Sequence, residues 1–195
     1  MDSVFASARK RTSKFSLAVL SSNVVLSSLI VGLTPFAAPT VAFAAAPSCT
    51  VTLNGGDNIQ TAIDAASAGD VICLNPGTYT PAVALNLNKA ITLTRTACDA
   101  NLVASHTAGN TSTEAIIDGG GTLNRSMTIS ANNVTVSCLE LKNNLTNAIV
   151  TTGGVASPVI KNNLIHNLTN DGAIYLTTTS NAVVQYNNLY AMKGY

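Results

Sequence analysis

The segments VSCLEL (136–141), IKNNLI (160–165) and VQYNNL (184–189) decide the fold of this chain, because they repeat one pattern at an interval of 24 residues. In each segment an apolar residue is followed three positions later by Leu or Asn, and two positions after that by a second apolar residue. A period in the twenties is typical of a solenoid, in which each repeat buries its apolar face by stacking on its neighbours. The repeat therefore predicts a stack of short coils.

Two solenoid classes compete for this period, the leucine-rich repeat and the β-helix. In a leucine-rich repeat an Asn follows the LxL motif by three residues. Asn144 fits this rule, but Leu168 and Met192 stand at the equivalent positions one and two repeats later. Asn163 and Asn187 lie instead in the middle of the motif, where inward Asn side chains donate to one another along the axis of a parallel stack. These two residues favour the β-helix.

A short helix is predicted before the regular repeats. Asp57 is placed to cap its start and Gly69 to stop it, which allows about three turns. A helix of this length is not stable alone, so we expect it to cover the first coil, where a solenoid otherwise exposes apolar side chains and strand edges. One face of the helix would carry Ile59, Ala62, Ile63 and Ala66.

The entry to the stack is the most specific stretch of the sequence. Residues 58–80 read NIQTAIDAASAGDVICLNPGTYT, which resembles the N-terminal entry of right-handed parallel β-helix proteins, the pectate-lyase-like superfamily. In that family a capping helix of the form xIQxAIDAAxxGDxI leads into a PGTY turn. The resemblance implies an all-β fold, a right-handed parallel β-helix with coils of about 24 residues and a short N-terminal capping helix. Residues 45–80 would form the first strand, helix and coil, and residues 81–195 the further coils.

The first 44 residues are predicted to be a secretory signal peptide. A basic segment (9–14) precedes a mostly apolar stretch (15–33), and Ala42, Phe43 and Ala44 form a small-x-small cleavage site. An uncleaved membrane anchor is the alternative, but the serines in the apolar stretch and the cleavage-like end argue against it. We therefore predict a secreted protein, extracellular or at the cell surface, with no membrane association after cleavage.

Removal of residues 1–44 changes the net charge. The full chain has a formal net charge of +1, but four of its ten basic residues and one of its nine acidic residues lie in that segment, so the remainder carries −2. A nucleic-acid-binding protein needs clustered Lys and Arg on its folded part. The sequence therefore predicts no nucleic-acid partner.

All four cysteines lie after the predicted signal peptide. An even number of cysteines in an oxidising compartment favours two disulfides. Three pairings are possible, and we expect Cys49–Cys73 and Cys98–Cys138. A metal site is the rival interpretation, but no CxxC pair and no Cys/His cluster supports it.

Two segments depart from the repeat. Residues 98–113 break the rhythm and are predicted to form a loop that protrudes from a turn. The last repeat reaches Tyr195 about halfway through a coil, without an amphipathic cap. We interpret the sequence as an N-terminal fragment; a partner that completes the edge is the alternative.

Candidate ligand contacts are expected on the outer face, because inward positions are filled by packing residues. If Leu139 and Leu141 point inward, alternate residues point outward. Lys142, His166 and Tyr190 then form a ladder that suits an acidic sugar, with a cation for the carboxylate, an imidazole for proton transfer and a ring for stacking. The alternative is that these side chains decorate a solvated face. A second outward column would hold Glu140, Leu164 and Asn188.

Signals of catalysis are sparse. Glycoside hydrolysis requires two carboxylates, and Asp118 has no second acid in register, so we interpret it as the cap of a glycine turn. Lyases of the resembled superfamily use Ca²⁺ held by several carboxylates and an Arg or Lys base. Arg95 and Arg125 match in type only, since no acid cluster surrounds them; the NTD, DD, GHG and RIK motifs of the superfamily's hydrolases do not occur.

The predicted function follows from these features. We expect a scaffold that binds extracellular polysaccharide or a cell-surface partner. The alternative is a polysaccharide lyase or glycosidase, with its active site in the outer groove or in coils beyond residue 195. No cofactor is evident, and Ca²⁺ enters only through the resemblance.

Overall fold

The computed structural model describes residues 48–98, 105–170 and 172–193. The predicted signal peptide lies outside the described residues, as do 99–104 and Tyr195. The described elements are β1 (Val51–Leu53), α1 (Ile59–Ala65), β2 (Val71–Leu74), β3 (Gly77–Tyr79), β4 (Leu85–Leu87), β5 (Thr92–Arg95), β6 (Ala115–Asp118), β7 (Met127–Ile129), β8 (Thr135–Ser137), β9 (Glu140–Lys142), β10 (Ile149–Thr151), β11 (Val159–Lys161), β12 (Leu164–Leu168), β13 (Ile174–Tyr175), β14 (Val183–Gln185) and β15 (Asn188–Met192).

The strands form three parallel sheets along one stack. Sheet 1 has the order β1-β2-β5-β8-β11-β14, sheet 2 the order β3-β6-β9-β12-β15, and sheet 3 the order β4-β7-β10-β13. Each strand pairs in parallel with the strand one coil away, so that the chain visits the three sheets in turn. The predicted parallel β-helix is confirmed, with about six turns of about 24 residues.

The interval of 24 residues is the pairing register of β8, β11 and β14 in sheet 1 and of β6, β9, β12 and β15 in sheet 2. Inward side chains stack in columns and form one continuous aliphatic core. Val184 and Leu189 are 45% and 48% exposed, because within the described residues they have a neighbouring coil on one side only. Two of the inward columns are Val136, Ile160 and Val184 in sheet 1, and Leu141, Ile165 and Leu189 in sheet 2.

The bends between the sheets are built alike in successive coils. From Asn133 onward each bend places a residue in the left-handed region, which disfavours residues with a Cβ and is best tolerated by Gly and Asn. These positive φ angles, between 51° and 57°, recur at Asn133, Ser157 and Asn181, at Cys138, Asn162 and Tyr186, and at Asn143, Asn167 and Ala191.

An asparagine ladder satisfies the backbone beside one of these bends, as the repeat predicts. Asn163 is fully buried, and its side-chain Nδ2 donates to Asn187 Oδ1 at 3.0 Å and to the Val136 carbonyl at 3.1 Å. Asn163 Oδ1 accepts the Leu139 N–H at 3.1 Å. The Asn side chain therefore pairs backbone groups that the strand ladder leaves without partners.

The helix begins one residue later than predicted. Asn58, rather than Asp57, is the N-cap, and its side-chain oxygen accepts the Thr61 N–H at 3.2 Å. The Asp57 carboxylate is already engaged by the preceding turn, where it accepts the Asn54 N–H at 2.7 Å. Both residue types cap well, so the choice between them depends on this competing hydrogen bond.

The helix also ends earlier than predicted, after about two turns. Ala66 has an extended backbone, so the helix stops before Gly69 is reached. Ile59 and Ile63 are buried and join the core. The short helix therefore covers the first coil, as expected.

The PGTY motif is only partly a turn. Asn75 and Pro76 make the turn, whereas Gly77–Tyr79 is strand β3, because its backbone pairs with β6 in sheet 2. The buried Tyr79 hydroxyl lies 2.9 Å from the Leu53 carbonyl oxygen and 3.0 Å from that of Asn75. Burial is the main cause that raises the pKa of Tyr79 to about 12.

Both predicted disulfides are confirmed. Cys49–Cys73 and Cys98–Cys138 have Cα–Cα distances of 5.6 and 5.7 Å. Two structural disulfides indicate an oxidising compartment. Across the described residues, we find no helix with the length and apolar character needed to cross a bilayer.

The asparagine ladder gives a stability test. Replacement of Asn163 by Leu leaves the Leu139 N–H and the Val136 carbonyl buried without their partner, at a cost of about 1–3 kcal/mol for each group. We expect the free energy of unfolding in denaturant to fall by about 3 kcal/mol. Asn188→Ala, at an exposed position of β15, is the control; equal effects of the two substitutions would contradict the role of the ladder.

Gly119 gives a second stability test. A Cβ built on Gly119 would overlap Asn144 Oδ1 and lie 2.8 Å from the Asn143 carbonyl oxygen. Overpacking of this kind costs about 1–3 kcal/mol, so Gly119→Ala should lower the melting temperature. Gly172→Ala is the matched control, since no heavy atom lies within 4 Å of its built Cβ; similar melting temperatures for both variants would show that the crowding is relieved.

Candidate functional site

The outer face of sheet 2 holds the predicted ligand-contact residues. The strand register confirms both predicted columns and extends each by one residue from β6. The first column contains Ile116, Glu140, Leu164 and Asn188, and the second contains Asp118, Lys142, His166 and Tyr190.

Asp118 and Lys142 form one end of the second column. The Lys142 Nζ lies 3.6 Å from Asp118 Oδ2, and both side chains are about one-fifth exposed. Asp118 Oδ1 accepts the Gly120 N–H at 2.8 Å and the Asn143 Nδ2–H at 2.9 Å. Asp118 therefore caps the glycine turn, as predicted, and also pairs with the ladder cation.

His166 and Tyr190 form the other end of the column. Their rings are stacked, with centroids 4.8 Å apart and planes 4° from parallel. Tyr190 is 40% exposed, whereas His166 is only 5% exposed. Burial, followed by the charge of Glu140, raises the pKa of Tyr190. The expectation that all three ladder residues lie open to solvent is wrong for His166, because its ring stacks on Tyr190 and is bonded to the buried Glu140.

Glu140 explains the position of His166. The Glu140 side chain is fully buried, and its Oε1 lies 2.9 Å from His166 Nε2. His166 Nδ1 is also buried and has no hydrogen-bond partner among the described residues.

The covering segment is residues 105–113, which we call the strap. Gly109 N–H lies 2.8 and 3.0 Å from the two carboxylate oxygens of Glu140. The two ring nitrogens of His106 each lie 2.8 Å from an acceptor, Glu114 Oε2 and the Asn162 carbonyl oxygen. The prediction of a protruding loop is therefore wrong for this segment, because two buried acids bind it to the face of the sheet.

Arg95 is part of the same attachment. Its Nη1 lies 2.7 Å from Glu114 Oε2 and donates to the Thr113 carbonyl at 2.8 Å. Arg95 is 8% exposed and Glu114 is 1% exposed. Arg95, which matched a lyase base in residue type, thus fixes the end of the strap.

Few features of the sequence indicated this arrangement. His106, Gly109 and Glu114 lie in or beside the one long segment without a repeat, so no period placed them near the columns. The single available signal was Glu140, an acid at a strand position between apolar neighbours. A buried acid needs a partner, and here the partners come from the strap and from His166.

Comparison with known proteins adds no family assignment. No family model, no curated protein and no solved structure matches this chain. The resemblance to the pectate-lyase-like superfamily stays a prediction. Among the described residues, no group of three or more His, Cys, Asp or Glu side chains is arranged to hold a metal ion.

The attachment of the strap is testable through Glu114. Glu114→Gln leaves the Arg95 guanidinium buried beside a neutral amide, and loss of one member of a buried ion pair costs about 3 kcal/mol. We expect lower stability in denaturant and faster subtilisin cleavage within residues 105–113. Asp64→Asn, which changes an exposed acid on α1, is the control. Unchanged cleavage in Glu114→Gln would show that the ion pair does not hold the strap.

Proposed function

We propose that this protein is secreted and binds extracellular polysaccharide through the outer face of sheet 2. The observation that supports this most is the shared column of Lys142, His166 and Tyr190. Neighbouring strands are about 4.8 Å apart, so a sugar chain that lies along the stack would meet the three side chains in succession. The predicted signal peptide and the two disulfides support export.

Each member of the column suits one part of an acidic sugar. Lys142 supplies a cation, and its contact of 3.6 Å with Asp118 is open enough for a sugar carboxylate to compete. Tyr190 offers an exposed ring whose orientation is fixed by stacking on His166, and aromatic rings pack well against apolar faces of ligands. A scaffold role is favoured because Asp118 is engaged as a turn cap.

A lyase or glycosidase is the second candidate, and one observation favours it. The buried Glu140 carboxylate orients His166 through Nε2 and leaves Nδ1 without a partner. An imidazole oriented by a carboxylate is a common form of general base. In this alternative His166 would accept a proton from the bound sugar.

Calorimetry with oligomers of galacturonate and with xylose oligomers of the same length tests the binding function. We expect Lys142→Ala and Tyr190→Ala each to weaken binding about tenfold, or about 1.4 kcal/mol, and the Lys142 effect to be confined to the acidic oligomer. Tyr175→Ala is the control, since Tyr175 is 58% exposed on sheet 3. Absence of binding, or equal affinities for all variants, would rule the proposal out.

A product assay separates the two candidates. The protein is incubated with the same oligomers, and reducing ends and unsaturated products are measured. Product formation that is lost in His166→Ala would establish the enzyme. Binding without products would establish the scaffold.

A further inference from the structure

The surface beneath the strap combines apolar and acidic side chains in one column. Ile116 and Leu164 flank Glu140, and their exposures are 0%, 2% and 0%. Pairing in register places each aliphatic side chain one strand away from the carboxylate. A sugar ring has the complementary surface, since it offers hydroxyl groups on its edge and C–H groups on its faces.

The strap binds the Glu140 carboxylate through a single backbone N–H group. The Gly109 N–H points at both carboxylate oxygens, which is the place that the hydroxyl groups of a sugar would take. Gly109 has a φ of 74°, and no heavy atom lies within 4 Å of its built Cβ. The tip of the strap is therefore held by hydrogen bonding to Glu140 and not by packing.

The rest of the strap is also attached through polar contacts. Within residues 105–113 no apolar side chain is buried, and the His106 side chain is only 5% exposed. The attachments run to Glu114, to Glu140 and to the Asn162 carbonyl. The tip at Gly109, which binds Glu140 through one backbone N–H, is therefore the part of the strap that opens at the smallest cost in free energy.

Two residues beside the contacts of the strap, His166 and Asn162, have buried polar atoms without hydrogen-bond partners. His166 Nδ1 belongs to the ring bonded to Glu140, and the side-chain oxygen and nitrogen of Asn162 belong to the residue whose carbonyl faces His106. None of the three has a hydrogen-bond partner among the described residues. Buried polar atoms of this kind require an explanation, and a ligand with several hydroxyl groups supplies both donors and acceptors.

We propose that Glu140 and His166 form a covered subsite for the hydroxyl edge of a pyranose, and that the strap is its displaceable cover. A pair of neighbouring hydroxyls replaces the Gly109 N–H on Glu140, and a further hydroxyl pairs with His166 Nδ1. The Glu140 carboxylate repels a sugar carboxylate, which is directed instead towards Lys142. This inference rests on the proposed function and adds that one sugar unit of the bound chain reaches beneath the strap.

Amide exchange in the wild-type protein tests the displacement directly. With saturating galacturonate or xylose oligomer, we expect the Gly109 amide to exchange at least about tenfold faster with deuterium, because it loses its carboxylate partner. The Gly69 amide, which donates to the Ala90 carbonyl, is the internal control and should not change. An unchanged or slower rate for Gly109 in the bound protein would overturn the inference.

Two substitutions with opposite expected effects complete the test. His106→Gln loosens the strap and should tighten binding about fivefold, because less free energy is spent on opening. Glu140→Gln should weaken binding about tenfold through the loss of a charged acceptor. If Glu140→Gln does not fold, the exchange rate of Gly109 in the wild-type protein decides.

The outcomes separate this inference from the proposed function. Binding that depends on Lys142 and Tyr190, but not on His106 or Glu140, together with an unchanged Gly109 amide, would disprove the covered subsite and leave the proposed function intact. If neither oligomer binds the wild-type protein, the proposed function fails and the subsite fails with it.

Discussion

The regular coils from Asn133 onward depend on a backbone constraint that they meet in the same way, a left-handed residue at each bend. At the bend between sheets 1 and 2 this residue is Cys138, Asn162 or Tyr186. A left-handed residue other than Gly costs free energy. The N–H group of the residue that follows it has no backbone partner in the hydrogen-bond ladder between the strands. The side chains of Asn163 and Asn187 accept the N–H groups of the preceding coil. These bonds join coils whose strands in sheets 1 and 2 pair at an interval of 24 residues.

The same register determines what the outer face of sheet 2 can do. Because the strands pair in register, Lys142, His166 and Tyr190 lie at successive positions along the axis, and under the proposed function a polymer must match that spacing. Adaptability comes from the strap, which lies outside the repeat and is attached through hydrogen bonds and a buried ion pair. A regular column and a cover attached by polar contacts therefore share one surface, and the Glu140 carboxylate joins them.

The sequence predicted the structural features that recur with the repeat, and it did not predict the contacts of the segment that lies outside the repeat. The period of 24 residues predicted the parallel stack, the inward columns and the outward register of Lys142, His166 and Tyr190, and the disulfide pairing was also correct. It failed at His166, which was expected to be exposed. His166 stacks on Tyr190 and is bonded to the buried Glu140 carboxylate, and the strap that binds Glu140 has no period from which its position could be predicted.

Smaller errors have the same origin. Asp57 and Asn58 are both good helix caps, and the outcome was decided by a hydrogen bond from Asn54 that propensity does not describe. The PGTY motif was expected to be a turn, but Gly77–Tyr79 pairs with β6, a strand of the same sheet that comes one coil later in the chain. Local sequence preference was overruled in both places by one specific partner.

The disulfide between Cys98 and Cys138 has a consequence for ligand recognition. It joins Cys98 to Cys138, two residues before Glu140, and closes a loop of sequence separation 40 that contains the strap. Under the proposed function the strap is an intramolecular competitor for Glu140, because the closed loop keeps it near that carboxylate. A free monosaccharide would have to outcompete this attached group alone. A longer chain would gain additional contacts along the column, so the closed loop would favour polymers over their single units.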